Sequence, residues 1–309
     1  MGWTVPSAVT LLCAACAASP QVGDTPAPGS PPLPAPAAPV AVPPTGGSAA
    51  GAPAAGTPDP GTASPAAAPR FADADALLEA VERSAAAMRD FRAAVTLETA
   101  DEVTGDVERR LGSLVLVQEE GKPATRRFAV VFDRFIDGAG RMDERPVRYL
   151  YADGWLTEAD FTQRTLVRRQ LARPGEAYDP LKPGEGPVPL PIGQRREEVL
   201  ARFDASIAAA PRAAAIAKLG RPLAGLALRP KPGTADRDLK DAVVWYDAET
   251  LAPVAVEATR AGGRTTVVLR NATVNGGLDD AQRALLTLAA GSTEGWRVDE
   301  RPLPPEAPR

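Results

Sequence analysis

From Phe91 onward the chain keeps returning to one rhythm: short runs in which apolar and polar residues alternate, most of them separated by turns too short to hold a helix. In Phe91–Thr99, Phe91, Val95 and Leu97 alternate with Arg92, Thr96 and Glu98, the period of a half-buried strand. Leu111–Gln118 is more uniformly apolar, and Arg127–Asp133 alternates again with Phe128, Val130 and Phe132 on one face. Val147–Tyr151 and Leu156–Leu171 flank Asp153-Gly154, a strong hairpin signal between apolar runs. The rhythm resumes in Leu223–Leu228, Asp241–Asp247, Pro253–Arg260 and Arg264–Val274, with turns at Asp247-Ala248-Glu249-Thr250 and Ala261-Gly262-Gly263. Leu285–Ala289 and Trp296–Val298 read as two further short strands. Strands joined so tightly are antiparallel, because a parallel pair needs a crossover of a dozen residues or more.

Two stretches have helical spacing instead. In Asp73–Phe91, Leu77, Leu78, Val81, Ala85 and Met88 form one apolar stripe, and Asp73 and Asp75 suit the N-terminal end. In Ile192–Ile207, Val199, Leu200, Phe203 and Ile207 form another, opposite Arg195, Arg196, Glu197 and Glu198. The class is therefore α+β: a highly curved antiparallel sheet, an unclosed half-barrel, with helices covering its concave face. A concave apolar face suits a lipophilic ligand. The expected lining is Val95, Leu97, Phe128, Val130, Phe132, Tyr149, Tyr151, Val243 and Trp245 on the sheet, with Leu200 and Phe203 on the covering helix. For any one of these residues, plain core is the simpler reading.

Composition divides the chain. Between Ala17 and Pro69 lie almost only Ala, Pro, Gly, Ser and Thr, with nearly half of the 33 prolines. Such a segment buries too little apolar surface to offset the entropy of ordering it. The expected organisation is an export segment over 1–18, a linker over 19–69 and one binding domain over 70–309. Both cysteines, Cys13 and Cys16, sit in the short apolar stretch Val5–Ala18, which is too short to span a bilayer and ends in small residues like an export signal. Leu12-Cys13-Ala14-Ala15-Cys16 resembles a bacterial lipobox, which implies lipid attachment at Cys16, although no Lys or Arg precedes the apolar run. The alternatives are ordinary cleavage after Ala15 or Ala18, or a mis-assigned start codon. An extended linker of this length would reach on the order of 150 Å.

What the chain lacks narrows its chemistry. With no histidine, Ser-His-Asp and Cys-His catalysis and the commonest zinc-ligand sets are excluded. The expected domain holds no cysteine and no Walker-type, G-x-G-x-x-G or G-x-S-x-G motif. The pairs Glu119/Glu120, Asp143/Glu144, Glu197/Glu198 and Asp279/Asp280 are adjacent in sequence, and neighbours on a strand point to opposite faces. Asp137-Gly138-Ala139-Gly140 with Asp143 lacks calcium-loop spacing. Asn271-Ala272-Thr273 is a glycosylation sequon inside a strand-like run. A net charge of -4 with mixed signs offers no stripe for nucleic acid. The expectation is a non-enzymatic protein with no cofactor and no metal.

Over roughly Leu77 to the C-terminus the chain resembles the LolA/LolB family, the periplasmic carrier and outer-membrane receptor of bacterial lipoproteins. The resemblance rests on the order of Asp153-Gly154-Trp155-Leu156, Leu228-Arg229-Pro230-Lys231, Val243-Val244-Trp245-Tyr246-Asp247, Arg264-Thr265-Thr266-Val267-Val268-Leu269, Asn271-Ala272-Thr273-Val274-Asn275 and Gly295-Trp296-Arg297-Val298. It implies a monomeric periplasmic protein, anchored or not, that binds lipoprotein acyl chains or another lipid, with a membrane-bound loading or acceptor protein as partner. The founding carriers have a buried arginine after the second strand that bonds the lid helices. Here Leu116-Val117-Gln118-Glu119-Glu120 occupies that stretch, with Arg126 and Arg127 nearby. Two other readings stay open: an envelope-stress sensor on the same half-barrel, and a structural envelope lipoprotein with a solid interior.

Overall fold

The computed structural model describes residues 71–119, 125–173, 176, 192, 195–233 and 238–304. Cys16, the export segment, the linker and most of the Arg173–Pro191 loop lie outside the described residues.

Helix α1 (Ala74–Ala86) starts where Asp73 accepts a hydrogen bond from the Ala76 amide at 2.8 Å, and it buries Leu77, Leu78, Val81 and Ala85. Six strands follow: β1 (Asp90–Asp101), β2 (Val107–Glu119), β3 (Thr125–Ile136), β4 (Met142–Ala152), β5 (Trp155–Asp160) and β6 (Thr165–Gln170). Asp153 and Gly154 both have positive φ, 51° and 79°, the conformation that makes Asp-Gly a hairpin turn between β4 and β5. The long run ending at Leu171 is broken by a second turn. There the Asp160 carboxylate accepts the amides of Thr162 and Gln163, and Arg164 takes φ 50°.

The second half holds α2 (Arg196–Arg202), β7 (Phe203–Ala208), α3 (Ala214–Ala217), β8 (Leu223–Pro230), β9 (Leu239–Asp247), β10 (Pro253–Arg260), β11 (Gly263–Val274), α4 (Asp280–Ala284) and β12 (Arg297–Arg301). All twelve strands form one open sheet in the order β12-β6-β5-β4-β3-β2-β1-β11-β10-β9-β8-β7. The β1–β11 pair, from Phe91 opposite Val274 to Asp101 opposite Gly263, joins the two halves. On either side of it the strands fan outward in sequence order. Every pairing is antiparallel except that of β12 with β6. The chain is thus the expected unclosed antiparallel sheet with a few short helices.

Two sequence expectations fail. Phe203–Ile207 is not the end of a helix: α2 stops at Arg202, and β7 pairs Phe203 with Pro230 and Ile207 with Leu226. Phe203, Ala205 and Ile207 fit a strand's alternation as well as a helical stripe, and the exposed edge of β8 decides between them. Leu285–Ala289 is not a strand. Asp279 and Gln282 cap one another's backbone groups and start the short helix α4, after which the chain turns.

Both faces of the sheet are covered. The largest cluster of buried side chains lies between the inner face and α1 and α2. On the outer face, Leu278, Leu286 and the half-buried Leu285 and Leu288 pack on Val115, Ala129, Val131 and Leu150, while Ile216 of α3 packs against Val243, Trp245, Val254 and Val268.

Candidate functional site

The inner face is built by alternation. Opposed residues share a face, so Phe128 opposite Tyr151 and Val130 opposite Tyr149 make one apolar row across β3 and β4. Phe128 and Tyr151 stack with ring centroids 5.8 Å apart, and Phe132 meets Tyr149 edge-on at 6.3 Å. Nine of the eleven residues expected to line the groove meet in this inner cluster: Val95, Phe128, Val130, Phe132, Tyr149, Tyr151 and Phe203 buried, Leu97 and Leu200 partly buried.

Val243 and Trp245 do not belong there. They face outward under α3, and their neighbours Val244 and Tyr246 face inward. Five consecutive residues, Ala242–Tyr246, are buried because both faces of β9 are covered, so hydrophobicity alone could not give the parity. Trp245 lies against Gly225, where a Cβ would come within 2.3 Å of its ring. Phe203 lines the inner face from β7 rather than from the covering helix.

The cover is α1 and α2. Arg196 of α2 donates two hydrogen bonds to Asp75 of α1, at 2.6 and 2.8 Å, and its amide donates to Glu82 at 3.3 Å. Lys231 Nζ donates to the Leu200 carbonyl at 2.7 Å, and Arg126 Nη1 to the Ile192 carbonyl at 3.0 Å. Arg126 thus ties β3 to the chain just before α2. The Arg196–Asp75 pair is solvent-exposed, so water and salt screen it.

At the β5 and β6 side the inner face becomes polar. Tyr149 donates from its hydroxyl to Glu158 at 3.5 Å, a long contact. Burial pushes the Glu158 carboxyl above its usual range against the opposing pull of the Arg169 guanidinium, and burial together with Glu158 pushes the Tyr149 phenol well up. On the outer face Glu257 is wholly buried and accepts the Ala213 amide at 2.7 Å and Arg212 Nε at 3.2 Å, fixing the start of α3. Sequence reading missed both carboxylates. Glu158 carried a signal, since Leu156, Glu158 and Asp160 share one face of a strand; Glu257, inside Pro253–Ala258, carried none.

Among the described residues no group of three or more Cys, Asp and Glu side chains is placed to hold a metal, and no helix is long and apolar enough to cross a membrane. No protein-family model matches the sequence, and no curated protein matches it. Solved structures align with it at low identity. An uncharacterized conserved protein from Thermus thermophilus aligns over 73% of this chain and 97% of its own, at 13% identity and a TM-score of 0.40. The Pseudomonas aeruginosa MucA/MucB complex structure aligns over 70% and 61%, at 13% identity and 0.39. Lipoprotein LppX from Mycobacterium tuberculosis aligns over 66% and 97%, at 11% identity and 0.34.

Proposed function

We propose that this chain is a non-enzymatic envelope protein that reversibly holds the acyl chains of lipoproteins or other lipids on the inner face of its sheet, beneath α1 and α2. One observation carries the reading. The inner face is a continuous apolar surface, and its cover is two helices tied down partly through surface polar contacts. The apolar stripe of the cover, Leu77, Leu78, Val81 and Val199, and an acyl chain would compete for one surface. Each buried CH₂ contributes about 0.8 kcal/mol to either occupant, so exchange is close to balanced and loading is reversible. A carrier needs that balance, because cargo held by full burial of several chains would not leave.

In this reading Cys16 is the acylated anchor, the 19–69 segment the tether, and the protein works in the periplasm with a membrane-bound donor or acceptor. The test is mass spectrometry of organic extracts from full-length protein purified out of its native envelope, together with uptake of a fluorescent acylglycerol by delipidated protein. A stoichiometric acyl lipid and saturable uptake are expected. A lipid-free extract with no saturable uptake would leave the structural-lipoprotein reading in its place.

A further inference from the structure

The inner face meets a polar flank at β5 and β6. Tyr149 is opposite Glu158, Glu158 is opposite Val167, and Leu156 is opposite Arg169, so the alternation sets all five on the inner side. Leu156 packs against the inner cluster, which makes the polar flank continuous with the apolar face. Arg169 Nε is buried there with no acceptor among the described residues. A buried guanidinium N–H without an acceptor is rare, because it forfeits its hydration and gains nothing in return. The charges that act on Tyr149 and Glu158 come from β2, β5 and β6: Arg110 and Arg169 against Glu158 and Asp160. Two cations act on these groups against two carboxylates, and Arg169 also acts on Asp299 of β12, so little of its positive charge is left uncompensated to attract an anion.

Building on the carrier reading, we propose that Tyr149, Glu158 and Arg169 form a subsite for the polar linkage of an acyl lipid. It takes a neutral ester or amide carbonyl with a neighbouring hydroxyl, and it discriminates against a free fatty-acid carboxylate. The carbonyl accepts from Arg169 Nε, which has no acceptor among the described residues, and the hydroxyl donates to Glu158 alongside the long contact from Tyr149. A carboxylate or phosphate entering the same place would be desolvated beside Glu158 and Asp160, whose charges offset those of Arg110 and Arg169.

The experiment is equilibrium dialysis of the delipidated full-length protein against radiolabelled 1-monooleoylglycerol and oleate, each below its aggregation concentration. The ester should bind at least tenfold more tightly. Glu158→Gln should close that gap to within threefold by strengthening oleate, and Arg169→Met should weaken the ester tenfold. A melting curve for each variant establishes that it is folded. A diacylglyceryl-cysteinyl peptide added as competitor distinguishes a protein-borne ester, which would displace the probe at lower concentration than free acylglycerol, from a free lipid; the subsite stands in both cases. Equal affinity of the wild type for oleate and ester, or an unchanged ratio in Glu158→Gln, overturns the subsite while leaving the carrier standing. Saturable binding of neither ligand overturns the carrier and the subsite with it.

Discussion

The guanidinium of Arg196 holds both carboxylate oxygens of Asp75, at 2.6 and 2.8 Å, and so pins α2 to the first turn of α1. That hydrogen bond lowers the Asp75 pKa. A depressed carboxylate contributes above its unfolded pKa, roughly pH 4, and the contribution is lost as pH falls through the folded value. Asp75→Asn should therefore do at neutral pH what acid does to the wild type. The expected result is faster amide hydrogen exchange across Arg196–Arg202 with little change in the urea midpoint, because the pair is exposed. Unchanged exchange in that segment would show that the pair does not restrain the cover.

Phe203 and Leu200 separate core from cover. Phe203 is 2% exposed on β7, so Phe203→Ala should cost about 3–5 kcal/mol in urea denaturation. Leu200 is only partly buried on α2, and Leu200→Ala should cost about 1 kcal/mol. It should nevertheless change fluorescent acylglycerol affinity severalfold, since in the proposed carrier α2 is the element that competes with cargo. If both variants lose stability in proportion to buried area and neither shifts probe affinity, α2 is core and not a cover.

The sheet was legible wherever one face is apolar and the other polar, as in Phe91–Thr99 and Arg127–Asp133, and wherever turn chemistry is explicit, as at Asp153-Gly154. It was illegible where both faces are covered. Nothing in Ala242–Tyr246 says which side each residue takes, and the answer depends on Ile216, a residue of a four-residue helix. The helix expected through Ile207 failed because five residues support two periods and the choice rests on pairing with β8. The parallel docking of β12 on β6 depends on contacts across more than a hundred residues, for which local pattern holds no signal. The inner-face residues were found as a set because alternation places them, whereas the polar flank becomes visible only when Glu158 and Arg169 are seen to share the face.

Glu257 illustrates a carboxylate kept for structure. Its side chain is fully buried, whereas Arg212 is 42% exposed and also bonds Asp241 at 2.6 Å. Glu257→Ala leaves Arg212 with another partner and water, so the loss is chiefly that of the Ala213 amide acceptor, about 2 kcal/mol. Glu257→Gln keeps that acceptor and should retain most of the stability. Urea midpoints of the two variants check this, and equal losses would mean that the charge rather than the amide bond holds α3.

Gly225 is the position at which a single methyl group should be most revealing. It sits opposite Trp245 in the β8–β9 ladder, and a Cβ built on it would lie 2.3 Å from Trp245 Cζ3 and 2.8 Å from the Ala208 Cβ. The Trp245 ring is 2% exposed and enclosed by α3, so it cannot swing into solvent without lifting that helix from the outer face. Gly225→Ala should thus cost about 1–3 kcal/mol as overpacking, and should alter the near-ultraviolet circular dichroism that Trp245 contributes. The inner face is on the other side of the sheet, so acylglycerol affinity should stay within twofold. A variant of wild-type stability and unchanged dichroism would mean that Trp245 does not lie on Gly225. A large loss of affinity at preserved stability would place Trp245 on the cargo face, where the alternation of β9 does not put it.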